Sequence, residues 1–334
     1  MDLFTQGAIG AAFAQATPAE RTHVRISGGL GFVAGMAADM DAFIHSSTDP
    51  LTVLEYHRHF SHSLIFIPAG GLLCALMLHW ILGQRRHLTF LQTFAYCTLG
   101  YATHGLLDAS TSYGTMLLWP FSDVRVSWSV VSIVDPAFTL PLATLTIVAW
   151  LRRSSLFART ALLWAGFYLT LGMFQHDAAV AMGKRIAAER GHTPIRIDAK
   201  PSLGNILVWK TIYETPERFY VDAVRAGLAP RFFYGASVAK LVTTRDLPWL
   251  TQDSQQARDV ERFSSLSLGF VAQDPQRPNR IIDVRYSFLP NDINALWSIE
   301  VSPDAGPTAH VRFLTHRDNA AENLNRLWRM ISGQ

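Results

Sequence analysis

Two rhythms of apolar and polar residues divide this chain. Up to about residue 180 the apolar residues come in long runs: Ile26 to Ile44, Leu64 to Leu82, Phe90 to Leu107, Val130 to Leu151 and Leu156 to Phe174. Each run has 18 to 22 residues, about what a helix needs to cross the hydrocarbon of a bilayer. The pattern therefore predicts an α-helical polytopic membrane domain of about five spans. A shorter apolar stretch, LFTQGAIGAAFAQA, precedes them. It ends in Ala14-Gln15-Ala16, like a signal-peptidase site, but no basic residue comes before Arg21. A signal peptide needs that charge, so the stretch reads as a retained short helix.

Beyond a boundary placed between Gly183 and Gly191 the rhythm shortens. NILVWKTIY, RFYVDAV, RIIDVRYSFL, ALWSIEV and AHVRFL are rich in β-branched and aromatic residues and are separated by Pro, Gly, Asn and Asp, as strands are. The final ENLNRLWRMI has apolar residues at helical spacing. The expectation is a membrane-embedded helical domain over 1–183 and a β-rich α+β soluble domain over 191–334.

Composition agrees with a membrane protein, since 49% of the 334 residues are hydrophobic and only 16% charged. The net charge of +3 comes from small clusters, which argues against nucleic acid as a partner. Cys74 and Cys97 stand singly in apolar runs, without the spacing of a metal or redox motif. They read as packing residues. AERTHVR, GQRRH and LRRSSLFAR carry the basic residues of the short loops, which places those loops in the cytoplasm. With five spans, the segments 45–63 and 104–128 and the whole tail then face outward.

The candidate chemistry gathers on that outer side. Asp39 and Asp41 end an otherwise uncharged run; on a regular helix, residues two apart diverge, so at most one would face a shared site. EYHRHFSHSL, residues 55 to 64, supplies His57 and His62. His104 and Asp108 stand four apart and so share one helix face. Ionisable groups at a membrane lip are costly and usually functional. A mixed imidazole and carboxylate set suits Zn²⁺, with Mn²⁺ or Fe as alternatives. GxSxG, HExxH and P-loop motifs are absent from the sequence, which removes three commoner mechanisms. His79 reads as structural, and His176 with Asp177 as a supporting pair.

MDLFTQGAIGAA, AGMAADMDAFI, DPLTVLEYHRHFSHSL, THGLLDASTSYGTMLLWPFSDVRVSW and SIVDP follow one another through most of residues 1 to 140. In these pieces the chain resembles the bacterial inner-membrane proteins described as metal-dependent hydrolases of the LexA-binding, membrane-bound type. The resemblance implies a metal site built from an Asp motif, HR…SHS and H…LD. Carried over residue by residue, it names Asp39, Asp41, His57, His62, His104 and Asp108 as metal-ligating, with Arg58 and Ser61 as catalytic. Some relatives carry a histidine where this chain has Gln6. The expected function is hydrolysis of a phosphoester or ester of a lipid-like substrate at the outer face of the inner membrane, with the bilayer itself as a partner. The alternative is a non-catalytic scaffold or partner-binding protein, or a metal or proton conduit.

Overall fold

A computed structural model describes residues 1–18, 20–317 and 319–333. Among the described residues ten α-helices and nine strands follow in order: α1 (Leu3–Ala16), α2 (His23–Met36), α3 (Thr52–Tyr56), α4 (Ile67–Leu78), α5 (Phe90–Ala109), α6 (Pro136–Arg152), α7 (Ser155–Glu189), β1 (Arg196–Pro201), β2 (Val208–Glu214), β3 (Arg218–Arg225), β4 (Arg231–Phe233), β5 (Ser237–Ala239), α8 (Thr243–Asp246), α9 (Gln255–Leu266), β6 (Val271–Asp274), β7 (Arg277–Asp283), β8 (Trp297–Glu300), β9 (Arg312–Thr315) and α10 (Ala320–Ser332). Two compact units share them. The N-terminal unit is Met1–Ile44, Tyr56–Met173 and Leu203–Asn205; the C-terminal unit is His45–Glu55, Phe174–Ser202 and Ile206–Gln334.

The expectation of about five spans is corrected. Among the described residues, two helices are long and apolar enough to cross a membrane: Leu64–Arg86, in which tighter and wider turns extend α4 to 23 residues, and the 35-residue α7. The other three runs fail for separate reasons. After 14 residues α2 tightens into a 3-10 segment, Ala37–Phe43, so its regular part spans about 21 Å against the roughly 30 Å required. Although α5 reaches 20 residues, Gln92, Thr93, Thr103, His104 and Asp108 interrupt its apolar character. In the last run Asp135 accepts hydrogen bonds from Ala137 N and Phe138 N, and this cap with Pro136 starts α6 late. Only 17 residues remain, with Pro141 inside them.

Small residues let the N-terminal helices approach closely. A Cβ on Gly31 would lie 2.4 Å from Gly10 O, and one on Gly100 would lie 2.4 Å from Gly31 O. Thus α1, α2 and α5 meet backbone to backbone. Their shared core includes Leu30, Ala34, Ala75 and Tyr101, with the free thiols of Cys74 and Cys97 buried among them.

The C-terminal unit contains two antiparallel sheets, one ordered β1-β2-β3-β4 with β5 also on β3, the other β6-β7-β8-β9. The five stretches with strand character lie in β2, β3, β7, β8 and β9, and the closing helix is α10. Every residue of β2 is buried. Val260 and Phe263 of α9 pack with Leu51, Ile281 and Ile299, while Leu327 and Met330 of α10 pack with Val208, Ala223 and Leu289.

Candidate metal centre

The site is built in the N-terminal unit from three segments. The 3-10 turn Ala37–Phe43 presents Asp39 and Asp41, the turn Phe60–His62 presents Ser61 and His62, and α5 presents His104 and Asp108 on one face. Gly105 makes the last two segments meet, since a Cβ there would stand 2.2 Å from His62 O. Tyr101 Oη donates to Ser61 O at 2.7 Å and fixes the same junction. As a result the rings of His62 and His104 lie edge to face, 4.6 Å between centroids.

Four ligand atoms converge. His62 Nε2 lies 3.4 Å from Asp39 Oδ1 and 3.3 Å from Asp108 Oδ2; His104 Nε2 lies 3.3 Å from Asp39 Oδ1 and 3.7 Å from Asp108 Oδ2. Atoms bound about 2.1 Å from a tetrahedral ion stand about 3.4 Å from one another. His62 Nε2, His104 Nε2 and Asp108 Oδ2 are buried and have no hydrogen-bond partner among the described residues. Such orphaned polar atoms are expensive unless something satisfies them. Both imidazoles are also held at the other nitrogen: His104 Nδ1 is 2.6 Å from Gly35 O, and His62 Nδ1 is 3.0 Å from Asp41 Oδ2. Such anchoring aims Nε2 of each ring inward, as in histidine metal ligands, where a cation would take the place of the proton that His62 Nε2 shares with Asp39 and Asp108. Two imidazoles and two carboxylates thus fit a divalent cation, and Zn²⁺, Mn²⁺ and Fe²⁺ all accept that set.

The 3-10 turn changes what two aspartates two residues apart can do. Asp39 reaches His62 Nε2 and Asp41 reaches Nδ1 of the same ring, so the two carboxylates bracket one imidazole. Asp41 is otherwise occupied by His57 Nδ1 at 2.9 Å, Arg58 N at 3.0 Å and Ser61 Oγ at 2.7 Å. It stands behind the converging atoms and orients His57, Ser61 and His62. His57 is not among the four; it forms a separate group with Asp39 and Asp41. The Ser61 hydroxyl gives its proton to Asp41.

Arg58 sits in the left-handed region, φ 61°, uncommon for a residue with a side chain. Its N–H bonds to Asp41 and its carbonyl to Met116 N, which hold it there. Its Nε is 3.0 Å from Asp108 Oδ2, its NH1 donates to Thr111 Oγ1 at 2.9 Å, and its guanidinium lies over the Tyr113 ring. Gln6 Nε2 and the Met1 amino group both donate to Asp108 Oδ1. Thr111, Tyr113 and the Gly35 carbonyl were not legible as site residues. The only signal for Gly35 was its place in the glycine-rich run of α2.

Burial would raise Asp39 and Asp41, but hydrogen bonds from His104 and His62 to the first and from His57 and His62 to the second hold both well below the usual carboxylate range. Burial would lower His62, yet its bonds to Asp108, Asp39 and Asp41 outweigh that and raise it to about 10. The pocket is therefore one that attracts a positive charge between its carboxylates.

His79 bonds to Thr93 Oγ1 at 3.0 Å. In the C-terminal unit His176 lies 3.3 Å from Asp177 and 3.6 Å from Asp198.

No curated protein and no solved structure matches the chain. A family model described as YdjM inner membrane protein matches residues 1–179, a stretch that holds all eight residues singled out above. Through that match over more than half its length, the chain belongs to the YdjM inner membrane protein family.

Proposed function

We propose that this inner-membrane protein is a hydrolase that uses a divalent metal ion held by Asp39, His62, His104 and Asp108, with an ester or phosphoester of a lipid-like molecule as substrate. The observation that carries this reading is the convergence of His62 Nε2, His104 Nε2 and Asp108 Oδ2, all buried and none in a hydrogen bond of regular geometry, at the edge lengths of a coordination tetrahedron. Such an ion acts as a Lewis acid and lowers the pKa of water toward neutrality. Asp41 keeps His62 in the tautomer that offers Nε2, and Gly35 O does the same for His104. His57, tied to Asp41 through Nδ1 and about a quarter exposed, is placed to carry a proton to or from the reacting group. Arg58 holds Asp108 in place and brings positive charge near developing negative charge on the substrate. Ser61 serves by orienting, since its proton is engaged.

Arg85 and Arg86 end the first candidate span, while Arg152, Arg153 and Arg159 surround the start of the second. Placing these charges in the cytoplasm puts the segment after Glu189 outside. A reporter active only in the cytoplasm should then give signal when fused after Arg86 and none when fused after Gly333; the reverse pattern refutes that orientation.

The activity test uses the full chain in detergent, stripped by chelator and then supplied with Zn²⁺, Mn²⁺ or Fe²⁺, against panels of phospholipids and long-chain esters. Hydrolysis that disappears with the chelator and returns with one ion is the expected result. Hydrolysis indifferent to every ion would refute the reading.

A further inference from the structure

The four converging side chains are not equally enclosed. His62, His104 and Asp108 are essentially buried, whereas one-fifth of the Asp39 side chain is exposed. Access to the centre therefore runs past Asp39. That edge is the polar end of a groove of about 650 Å³, where His57 and Arg58 also line the wall. Leu3, Val33, Met36, Met40 and Phe43 are among the apolar residues that line the remainder. Leu3, Val33, Met40 and Phe43 are between 44% and 76% exposed, which is costly in water for so many large apolar residues side by side. All of this lies within the N-terminal unit.

We infer that the groove holds the aliphatic chain of an amphiphilic substrate whose ester or phosphoester group sits at the Asp39, His57 and Arg58 end. This rests on the hydrolase reading and adds to it the place where the substrate's chain is held. The groove is apolar along its length and polar at one end, which is the amphiphile's own distribution. Its polar end is the exposed edge of the metal quartet, so a chain lying in it delivers the group next to it to the reacting position. A water-soluble substrate would gain nothing from such walls, while a lipid reaches them by lateral diffusion. In the reaction the oxygen of water bonds to the acyl carbon or phosphorus, the bond to the leaving oxygen breaks, and a proton from water passes to that oxygen. No oxidant or reductant is required.

The test uses the full chain in phosphatidylcholine nanodiscs supplied with Zn²⁺, and two hydroxamates as probes. Acetohydroxamate can reach the centre without a chain; dodecanohydroxamate adds one. Val33→Trp and Met36→Trp each place bulk in the groove wall, and the lipid of the disc is the same for all three proteins. The ratio of dodecano- to acetohydroxamate affinity should fall at least tenfold in either variant relative to the parent. An unchanged ratio in both variants, with acetohydroxamate bound, overturns the groove while leaving the metal reading intact; it would assign the apolar wall to ordinary bilayer lipid. No acetohydroxamate binding by the parent overturns the metal reading, and the substrate class falls with it.

Discussion

Among the described residues aspartates and histidines come within 4.8 Å of one another in three groups, two that share Asp39 in the N-terminal unit and one in the C-terminal unit, and the largest N-terminal group is chemically unlike the C-terminal one. In the N-terminal unit His62 Nε2, His104 Nε2 and Asp108 Oδ2 turn toward one another and toward Asp39 without a hydrogen bond of regular geometry, with Arg58 Nε 3.0 Å from Asp108 Oδ2 on one side. In the C-terminal unit Asp49, Asp259 and His310 surround a place already taken. Arg262 puts NH2 2.9 Å from Asp49 Oδ2 and NH1 3.1 Å from Asp259 Oδ1, and it also reaches Glu55 at 2.7 Å. His310 Nδ1 and Val311 N fill the other oxygen of Asp259, and Gln255 Nε2 shares the first. Ligand-type residues within reach of one another are thus insufficient. What separates a candidate metal centre from a salt-bridge hub is whether the ligand atoms face one another or close around a guanidinium, as Asp49 and Asp259 do around Arg262.

Removing ligands should break the symmetry between the clusters most sharply. His62→Ala, His104→Ala and Asp108→Asn each delete one of about four bonds to the ion, and bound metal per protein, measured by mass spectrometry after detergent purification, should fall to background. His310→Ala should leave it at the parent level, as should His79→Ala. A flat series across all five variants would end the comparison, because the orphaned atoms would then be an unfilled polar void.

A smaller loss is expected from Asp41→Asn. Asp41 touches His62 through Nδ1 and keeps Nε2 aimed inward, and removing such a supporting carboxylate costs about 10- to 100-fold in metal affinity. Titration with a competing chelator gives the value. A loss as complete as that of His104→Ala would move Asp41 into the coordinating set, with His57 beside it. No loss would leave the His62 orientation to the Ser61 hydroxyl, which lies 3.0 Å from the same Nδ1.

How far these contrasts could be read from the sequence differs by element. His104 and Asp108 were legible because a four-residue spacing fixes a shared helix face whatever surrounds it. Strand segments such as those in β2 and β3 were legible for the same kind of reason, local residue type and short period. The spans were overcounted because apolarity does not say what covers it. It also does not say where a helix ends: α2 gives way to a 3-10 segment at Ala37, and the Asp135 cap with Pro136 starts α6 late. The division of labour between Asp39 and Asp41 was hidden because it depends on a change from α to 3-10 winding at Ala37 and on where the turn bearing His62 lands. Neither leaves a mark in residue spacing. Arg262 could not be paired with Asp49 from sequence, since more than two hundred residues separate them.

The mildest discriminator is pH, because the two clusters should respond in different windows. In the N-terminal cluster His62 is raised to about 10 by its three aspartates, against the opposing effect of burial. Below that value the ring binds a proton, and a cation can take Nε2 only by displacing it. Apparent metal affinity should therefore rise with pH by about tenfold per unit below pH 10, one proton released for each ion bound. Proton release measured in weakly buffered solution, beside affinities at pH 6, 7 and 8, reads this directly. In the C-terminal cluster the contribution of Asp49 should be constant over that range. Burial would raise Asp49, but its bond to Arg262 and the charge of that guanidinium hold it below the ordinary aspartate value. A depressed carboxyl contributes stability that is fully present above its unfolded pKa, about 3.9, and is lost only as pH falls through the lower folded value. Weakening of the C-terminal unit from this source thus begins below about pH 4, and hydrogen exchange at amides of α9 can follow it. An affinity independent of pH between 6 and 8 would mean that no histidine proton competes with the ion in that range, so that the bonds to the three aspartates do not hold a proton on His62 against burial.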